Sequence, residues 1–130
     1  MISSLYAAML ALLIVWLSLR VIKLRRINKV RFGDGGNTAL QAAIRAQGNA
    51  IEYIPIALIL LILLELSGAH SALIHLGGIA VLVGRLIHAR GLLVESLPYR
   101  VLGMQLTIFT LIGLALANIA YALFSSLYVS

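Results

Sequence analysis

Arg45-Ala46-Gln47-Gly48-Asn49-Ala50-Ile51-Glu52-Tyr53-Ile54-Pro55 heads a long apolar run that continues to Leu64. Arg45, Asn49 and Glu52 stand at i, i+4 and i+7, so on a helix they share one narrow face. Thr38 and Gln41 extend that polar stripe backwards, and beyond Glu52 the same side turns apolar at Ile56, Ile59 and Leu63. Ionisable groups at membrane depth are costly and mark functional positions by default. The stripe therefore reads as one wall of a pocket with a polar mouth and a dry floor.

The rest of the chain supplies the membrane setting. Of its 130 residues, 62% are hydrophobic and 11% charged, with a mean hydropathy of +1.08. Soluble domains sit nearer 45–50% apolar and about 25% charged. The composition is that of an all-α integral membrane protein. Apolar runs predict four spans, at about 2–22, 38–66, 72–93 and 99–128, each at least as long as the ~20 residues a bilayer requires. The first lacks the basic start and small-residue cleavage site of a signal peptide and reads as a retained span. Gly33-Asp34-Gly35-Gly36, Ser67-Gly68-Ala69-His70 and Glu95-Ser96-Leu97-Pro98 punctuate the spans as turns. With no cysteine, the chain has no disulfide, thiolate metal site or thiol nucleophile of its own.

Six of the ten basic residues (Arg20, Lys23, Arg25, Arg26, Lys29 and Arg31) lie around the first connection, and Arg90 and Arg100 flank the third. The positive-inside rule then places these connections in the cytoplasm and both termini outside. The net charge of +6 reads as a topology signal at anionic headgroups rather than a nucleic-acid footprint, because no aromatics interleave the basic cluster. Counting from the Ser67–His70 turn, Glu52 and Arg85 both fall roughly 21–22 Å along their helices. Arg45, Asn49, Glu52, Arg85 and His88 are thereby expected in one layer, with Arg100 entering from the start of the fourth helix.

Each of these residues has a plain structural reading too. Glu52 and Arg85 can form a buried ion pair between two helices, and Asn49 can be interhelical glue. His88 can be a hydrogen-bonded structural imidazole, and Tyr53 an ordinary buried tyrosine. Glu65, on the opposite side of its helix, is expected only to snorkel. His70 and His75 lie towards the other surface, so no three-histidine metal site is expected.

Arg45-x-x-x-Asn49-x-x-Glu52-Tyr53-x-Pro55 resembles the signature of the MAPEG superfamily, the membrane-associated proteins of eicosanoid and glutathione metabolism. Gly84-Arg85-x-x-His88, the basic first connection and the four-span plan resemble it as well. The likeness covers essentially the whole chain. The Phe32–Gly36 turn is most similar to a small bacterial inner-membrane branch. The resemblance implies a homotrimer of four-helix bundles in a bacterial inner membrane, binding glutathione between subunits near the cytoplasmic side. Carried over residue by residue, it implies that Lys23, Arg45, Asn49, Glu52, Tyr53 and His88 hold glutathione. Arg100, following Pro98-Tyr99 with the preceding loop one residue shorter, would stabilise the thiolate. Leu92 and Met104 stand where the eicosanoid branch carries tyrosines, which argues against a prostaglandin or leukotriene product. The implied activity is glutathione-dependent conjugation of a lipophilic electrophile or reduction of a hydroperoxide, without a metal.

Two rival functions belong to other classes. A proton-coupled small multidrug transporter also has four spans and an intramembrane glutamate, but carries it in the first span and lacks arginines around it. A non-catalytic lipid- or glutathione-binding scaffold would keep the binding residues and need no reactive Arg100.

Overall fold

A computed structural model describes residues 1–128. Four helices account for nearly all of them: α1 (Ile2–Asn28), α2 (Thr38–Leu66), α3 (Ser71–Leu93) and α4 (Leu97–Tyr128). All four are long and apolar enough to cross a membrane. The chain is an integral membrane protein of all-α class. The α3 and α4 starts lie one and two residues before the expected positions. The larger difference is α1, which continues six residues past the expected end of its span. Lys23, Arg25 and Arg26 therefore ride on its last turns rather than on a loop. Arginine, lysine and leucine are good helix formers, and no glycine or proline interrupts them before Gly33.

The ends are closed by identifiable groups. Lys29 takes a left-handed conformation (φ 55°) at the end of α1, and the Val30 N–H donates to the Arg25 carbonyl at 3.0 Å. This is the 6→1 bond of a Schellman stop. Gly33, Gly35 and Gly36 all have positive φ, which explains why the turn is written with three glycines. Asn37 then caps α2 by accepting from the Leu40 N–H at 2.9 Å, and its amide donates to Asn28 Oδ1 at 3.0 Å, tying the two helix ends together. At the other end of the bundle, His70 Nδ1 caps α3 by accepting from the Ala72 N–H.

Side-chain periodicity decides which faces meet. On α1 the buried residues are Ser3, Tyr6, Leu10, Leu13, Leu17 and Val21, a single stripe at spacings of three and four. On α2 the buried stripe is Ala46, Ala50, Ile54, Ala57, Leu61 and Leu64, with Asn49 along its edge. α2 runs unbroken through Pro55. Neighbouring helices are α1/α2, α2/α3, α3/α4, α1/α3 and α2/α4, while α1 and α4 do not pack together among the described residues. The α2/α4 and α1/α3 faces consequently lie on opposite sides of the bundle.

Small residues let α3 and α4 approach most closely. Gly84 faces the Thr107 hydroxyl, Gly91 faces the Tyr99–Arg100 backbone, and Gly103 lies against the His88 backbone. A methyl group at Gly103 would collide with backbone atoms that cannot move aside. Gly103→Val should therefore push α4 from α3 and destabilise the protein by about 1–3 kcal/mol. Its unfolding midpoint in mild detergent, compared with that of Gly113→Val, checks this, because Gly113 has open space around it.

Candidate functional site

At the basic end of the bundle, the first turns of α2 and the α3–α4 corner enclose a pocket of about 450 Å³. Thr38, Gln41 and Arg45 project from α2. Leu92 closes one side from α3, Glu95 comes from the corner, and Arg100 comes from the first turn of α4. Two guanidinium groups thus share a cavity with one carboxylate. Arg45 and Arg100 were both expected here, and the fold does bring them together. Glu95, held at φ 55° in the tight corner, was not anticipated. Its only sequence signal was its place among turn residues before Pro98.

Around this pocket the expected polar layer divides in two. Arg45 Nη1 lies 3.7 Å from Glu52 Oε1, and both side chains are 55% exposed. They lie two turns apart on the outward edge of α2. Arg85, by contrast, is 1% exposed. Its Nη1 donates to Asn49 Oδ1 at 2.5 Å and reaches the Asn49 carbonyl at 3.4 Å. Its guanidinium carbon lies 5.4 Å from the centre of the Tyr53 ring, within cation–π range.

The expected Glu52–Arg85 ion pair is therefore absent, and Asn49 and Tyr53 take the place of Glu52. Depth counting put Glu52 and Arg85 at one level but carried no information on rotation. Three residues turn a helix by 300°, which moves Glu52 off the edge of the buried stripe where Asn49 sits. Arg85 Nε and Nη2 have no hydrogen-bond partner among the described residues. The positive charge is held by one amide, one carbonyl and an aromatic face.

His88 is buried, and its Nδ1 lies 3.1 Å from the Arg100 carbonyl. A carbonyl can only accept, so Nδ1 carries the proton and donates. The bond fixes the imidazole against the first turn of α4 and, with Gly91 and Gly103, fixes where Arg100 starts. His88 does not line the pocket. Lys23 does not reach it either: it is exposed on α1, the helix that does not pack on α4.

Glu65 corrects a second expectation. Rather than snorkelling, its carboxylate accepts from the Ile2 N–H, from the Ser3 N–H at 2.8 Å and from the Ser3 hydroxyl. α1 has no acidic residue in its first turn and no side-chain cap of its own, so a residue from α2 supplies the missing acceptor. Glu65→Gln should weaken the N-terminal attachment of α1. Faster hydrogen exchange at Ser3 and Ser4, with the α2 interior unchanged, is the expected signature. Nearby, the Tyr6 hydroxyl hydrogen-bonds His75 Nδ1 at 2.7 Å. On the same bundle, Asn118 Nδ2 donates to the Leu60 carbonyl of α2 at 2.9 Å. No group of three or more metal-ligating side chains occurs among the described residues.

Comparison with known proteins agrees with this architecture. The MAPEG family model matches residues 3–120. The chain is 44% identical over 121 residues to "Inner membrane protein YecN" of Escherichia coli strain K12, covering 93% of this chain and 92% of that protein. The protein of the same name from Escherichia coli O6:H1 shows the same identity and coverage. With a family match over four helices of membrane-spanning length, and the Arg45–Pro55 and Gly84–His88 motifs in place, the chain belongs to the MAPEG family.

Proposed function

We propose that the protein is a bacterial inner-membrane, glutathione-dependent transferase or peroxidase, whose α2/α4 pocket binds glutathione between subunits of a homotrimer. The observation that carries this reading is the meeting of Arg45, Arg100 and Glu95 in one pocket, with Glu52 outside its lining but 3.7 Å from Arg45, two turns up α2. Glutathione offers two carboxylates, one ammonium and one thiol, and this set of charges complements it. Arg45 would pair with a carboxylate and Glu52 with the ammonium. Asn49 and Tyr53 would contribute polar contacts, with Arg85 holding both in place from behind. His88 serves through the α4 backbone it anchors.

Lys23 supports the oligomer. It cannot line the pocket of its own subunit because α1 and α4 do not pack together. A neighbouring α1 laid against the open α2/α4 face would bring its Lys23 to the second carboxylate and close the cavity. The positive-inside rule places this mouth in the cytoplasm, where glutathione is available. A lipophilic second substrate would arrive laterally from the bilayer.

The chemistry asked of the protein is electrostatic. A thiol with pKa near 8.5 is only a few per cent ionised at pH 7, and the thiolate is the nucleophile. A guanidinium beside the sulfur stabilises that anion. Arg100 does so without accepting the proton, since it stays charged, and the proton passes to water. In conjugation, the thiolate forms a carbon–sulfur bond and the leaving group departs with the electron pair of the bond it breaks. In peroxide reduction, two glutathiones supply two electrons, giving the disulfide, an alcohol and water.

The proton-carrier alternative is disfavoured by Arg45, which stands 3.7 Å from the glutamate that would have to carry the proton. Equilibrium dialysis of the purified protein against labelled glutathione tests the proposal. Saturable binding in the millimolar range or tighter is expected, and absence of saturable binding at 10-fold higher concentrations, roughly 1.4 kcal/mol weaker, would overturn it.

A further inference from the structure

The chain has four acidic residues, and three of them are engaged. Asp34 accepts from the Gly36 N–H at 2.9 Å within its own turn. Glu65 holds the start of α1 at the far end of the bundle. Glu52 lies 3.7 Å from Arg45, outside the lining of the α2/α4 pocket. Glu95 is the fourth. It lines the pocket together with Arg100, and among the described residues no ion pair engages it. Glutathione leaves it nothing to bind, because Arg45, Glu52, Arg100 and a neighbouring Lys23 already match the carboxylates, the ammonium and the sulfur.

The α3–α4 corner holds Glu95 in place against its backbone preference. The Ser96 N–H donates to the Gly91 carbonyl at 2.8 Å, which makes Glu95 the left-handed residue of a Schellman stop, at φ 55°. Glycine takes that conformation without strain and a glutamate does not. The Ser96 carbonyl in turn accepts from the Arg100 N–H at 3.1 Å, so one hydrogen-bonded corner carries both the carboxylate and the guanidinium. A carboxylate disfavours an anion formed beside it, so thiolate binding gives no reason for an acid here. Proton transfer does. Arg45 and Arg100 stay charged, the Thr38 hydroxyl and Gln41 amide do not titrate near neutral pH, and the remaining lining side chains are apolar. Glu95 is the one lining side chain able to take up a proton and give it back.

We propose that Glu95 is the proton-transfer residue of the α2/α4 pocket and fits the site to lipophilic hydroperoxides, whose leaving atom is oxygen. The proposal rests on the reading of this pocket as a glutathione site. Glu95 takes the thiol proton as the sulfur attacks the terminal oxygen of the hydroperoxide. The S–O bond forms, the O–O bond breaks with its electron pair going to the departing alkoxide, and the proton on Glu95 passes to that oxygen. The products are an alcohol and the sulfenic acid of glutathione, which a second glutathione converts to the disulfide and water. A halide leaving group needs no proton, which then goes on to water.

The full-length protein in detergent, at saturating glutathione, is assayed with a tertiary alkyl hydroperoxide and with an activated aryl chloride. Glu95→Gln should lower hydroperoxide reduction about 10²-fold and aryl chloride conjugation no more than about fivefold, so their ratio falls by about twentyfold or more. Glu95→Gly relieves the left-handed backbone, so it should fold at least as well and shift the ratio as far. Both variants should retain glutathione in equilibrium dialysis. Asp34→Asn, which removes a carboxylate outside the pocket, should leave the ratio unchanged. An equal fall on both substrates in Glu95→Gln and Glu95→Gly would overturn the proposal, as would the same shift in Asp34→Asn. Aryl chloride conjugation with no hydroperoxide reduction in the unaltered protein would also overturn it, while leaving the glutathione site standing. Failure of the glutathione reading itself is seen separately, as absence of binding in dialysis by the unaltered protein, and it removes both.

Discussion

Arg100→Ala is expected to lower the rate of glutathione conjugation by about 10²–10³-fold, the range found when one donor to a developing anion is removed. The probe is an activated aryl chloride at saturating glutathione. Arg100 lies in the first turn of α4, and its backbone N–H is already used in bonding the Ser96 carbonyl at 3.1 Å. The His88 bond likewise goes to its carbonyl. Removing the side chain therefore leaves the corner and its hydrogen bonds in place. The loss should fall on kcat, with the glutathione concentration for half-saturation changing only severalfold. Arg45→Ala should do the reverse, weakening binding more than turnover, because Arg45 is assigned a carboxylate rather than the sulfur. Equal effects of the two substitutions on kcat would remove the distinction between binding and activating arginines.

The second large effect concerns the buried guanidinium. Arg85 is anchored through Nη1 on Asn49 and packs on Tyr53, with two further nitrogens unpartnered. Asn49→Leu strips away the side-chain acceptor and leaves a buried cation with only a long contact to a carbonyl. Hydrogen bonds to charged groups contribute about 1.5–3 kcal/mol, and an orphaned charge costs more. A loss of about 3 kcal/mol is expected in the unfolding free energy measured in detergent. Arg85→Met should cost less, since it removes the charge together with its desolvation penalty. Asn49→Leu combined with Arg85→Met should recover much of the loss. That non-additive pattern is the diagnostic of a pair, and simple addition of the two single effects would contradict the assignment.

The four spans could be read from apolar runs because lipid demands long helices and turns need glycine or proline. The extra turns of α1 escaped that reading. Lipid-compatible composition ends near residue 22, whereas helical propensity persists to Asn28, and the two criteria part company where the chain leaves the bilayer. In the site, the proximity of Arg45 and Arg100 was legible from depth counting, which set both at the cytoplasmic end of their helices, and both line one pocket. The partner of Arg85 was not, because counting residues fixes depth but not the rotation of a helix about its axis.

Glu65 shows a different limit. A lone acid near a helix end looks like a snorkelling side chain until its neighbour is known. Its signal was the lack of a cap on α1 combined with antiparallel packing, which sets the end of α2 beside the start of α1. Glu95 illustrates a third case, where a turn residue becomes a pocket wall only after the α3–α4 corner has folded. The glycines that allow that corner, Gly91 and Gly103, were visible in sequence, but the backbone each accommodates was not.

The central claim, that this pocket binds glutathione and holds its sulfur as an anion, is tested most directly by ultraviolet difference spectroscopy at neutral pH. Glutathione titrated into the purified protein should produce a saturable thiolate absorbance, and Arg100→Ala should abolish that absorbance while dialysis still detects bound glutathione. Bound glutathione with no thiolate band in the unaltered protein, or a band of equal size in Arg100→Ala, would contradict it.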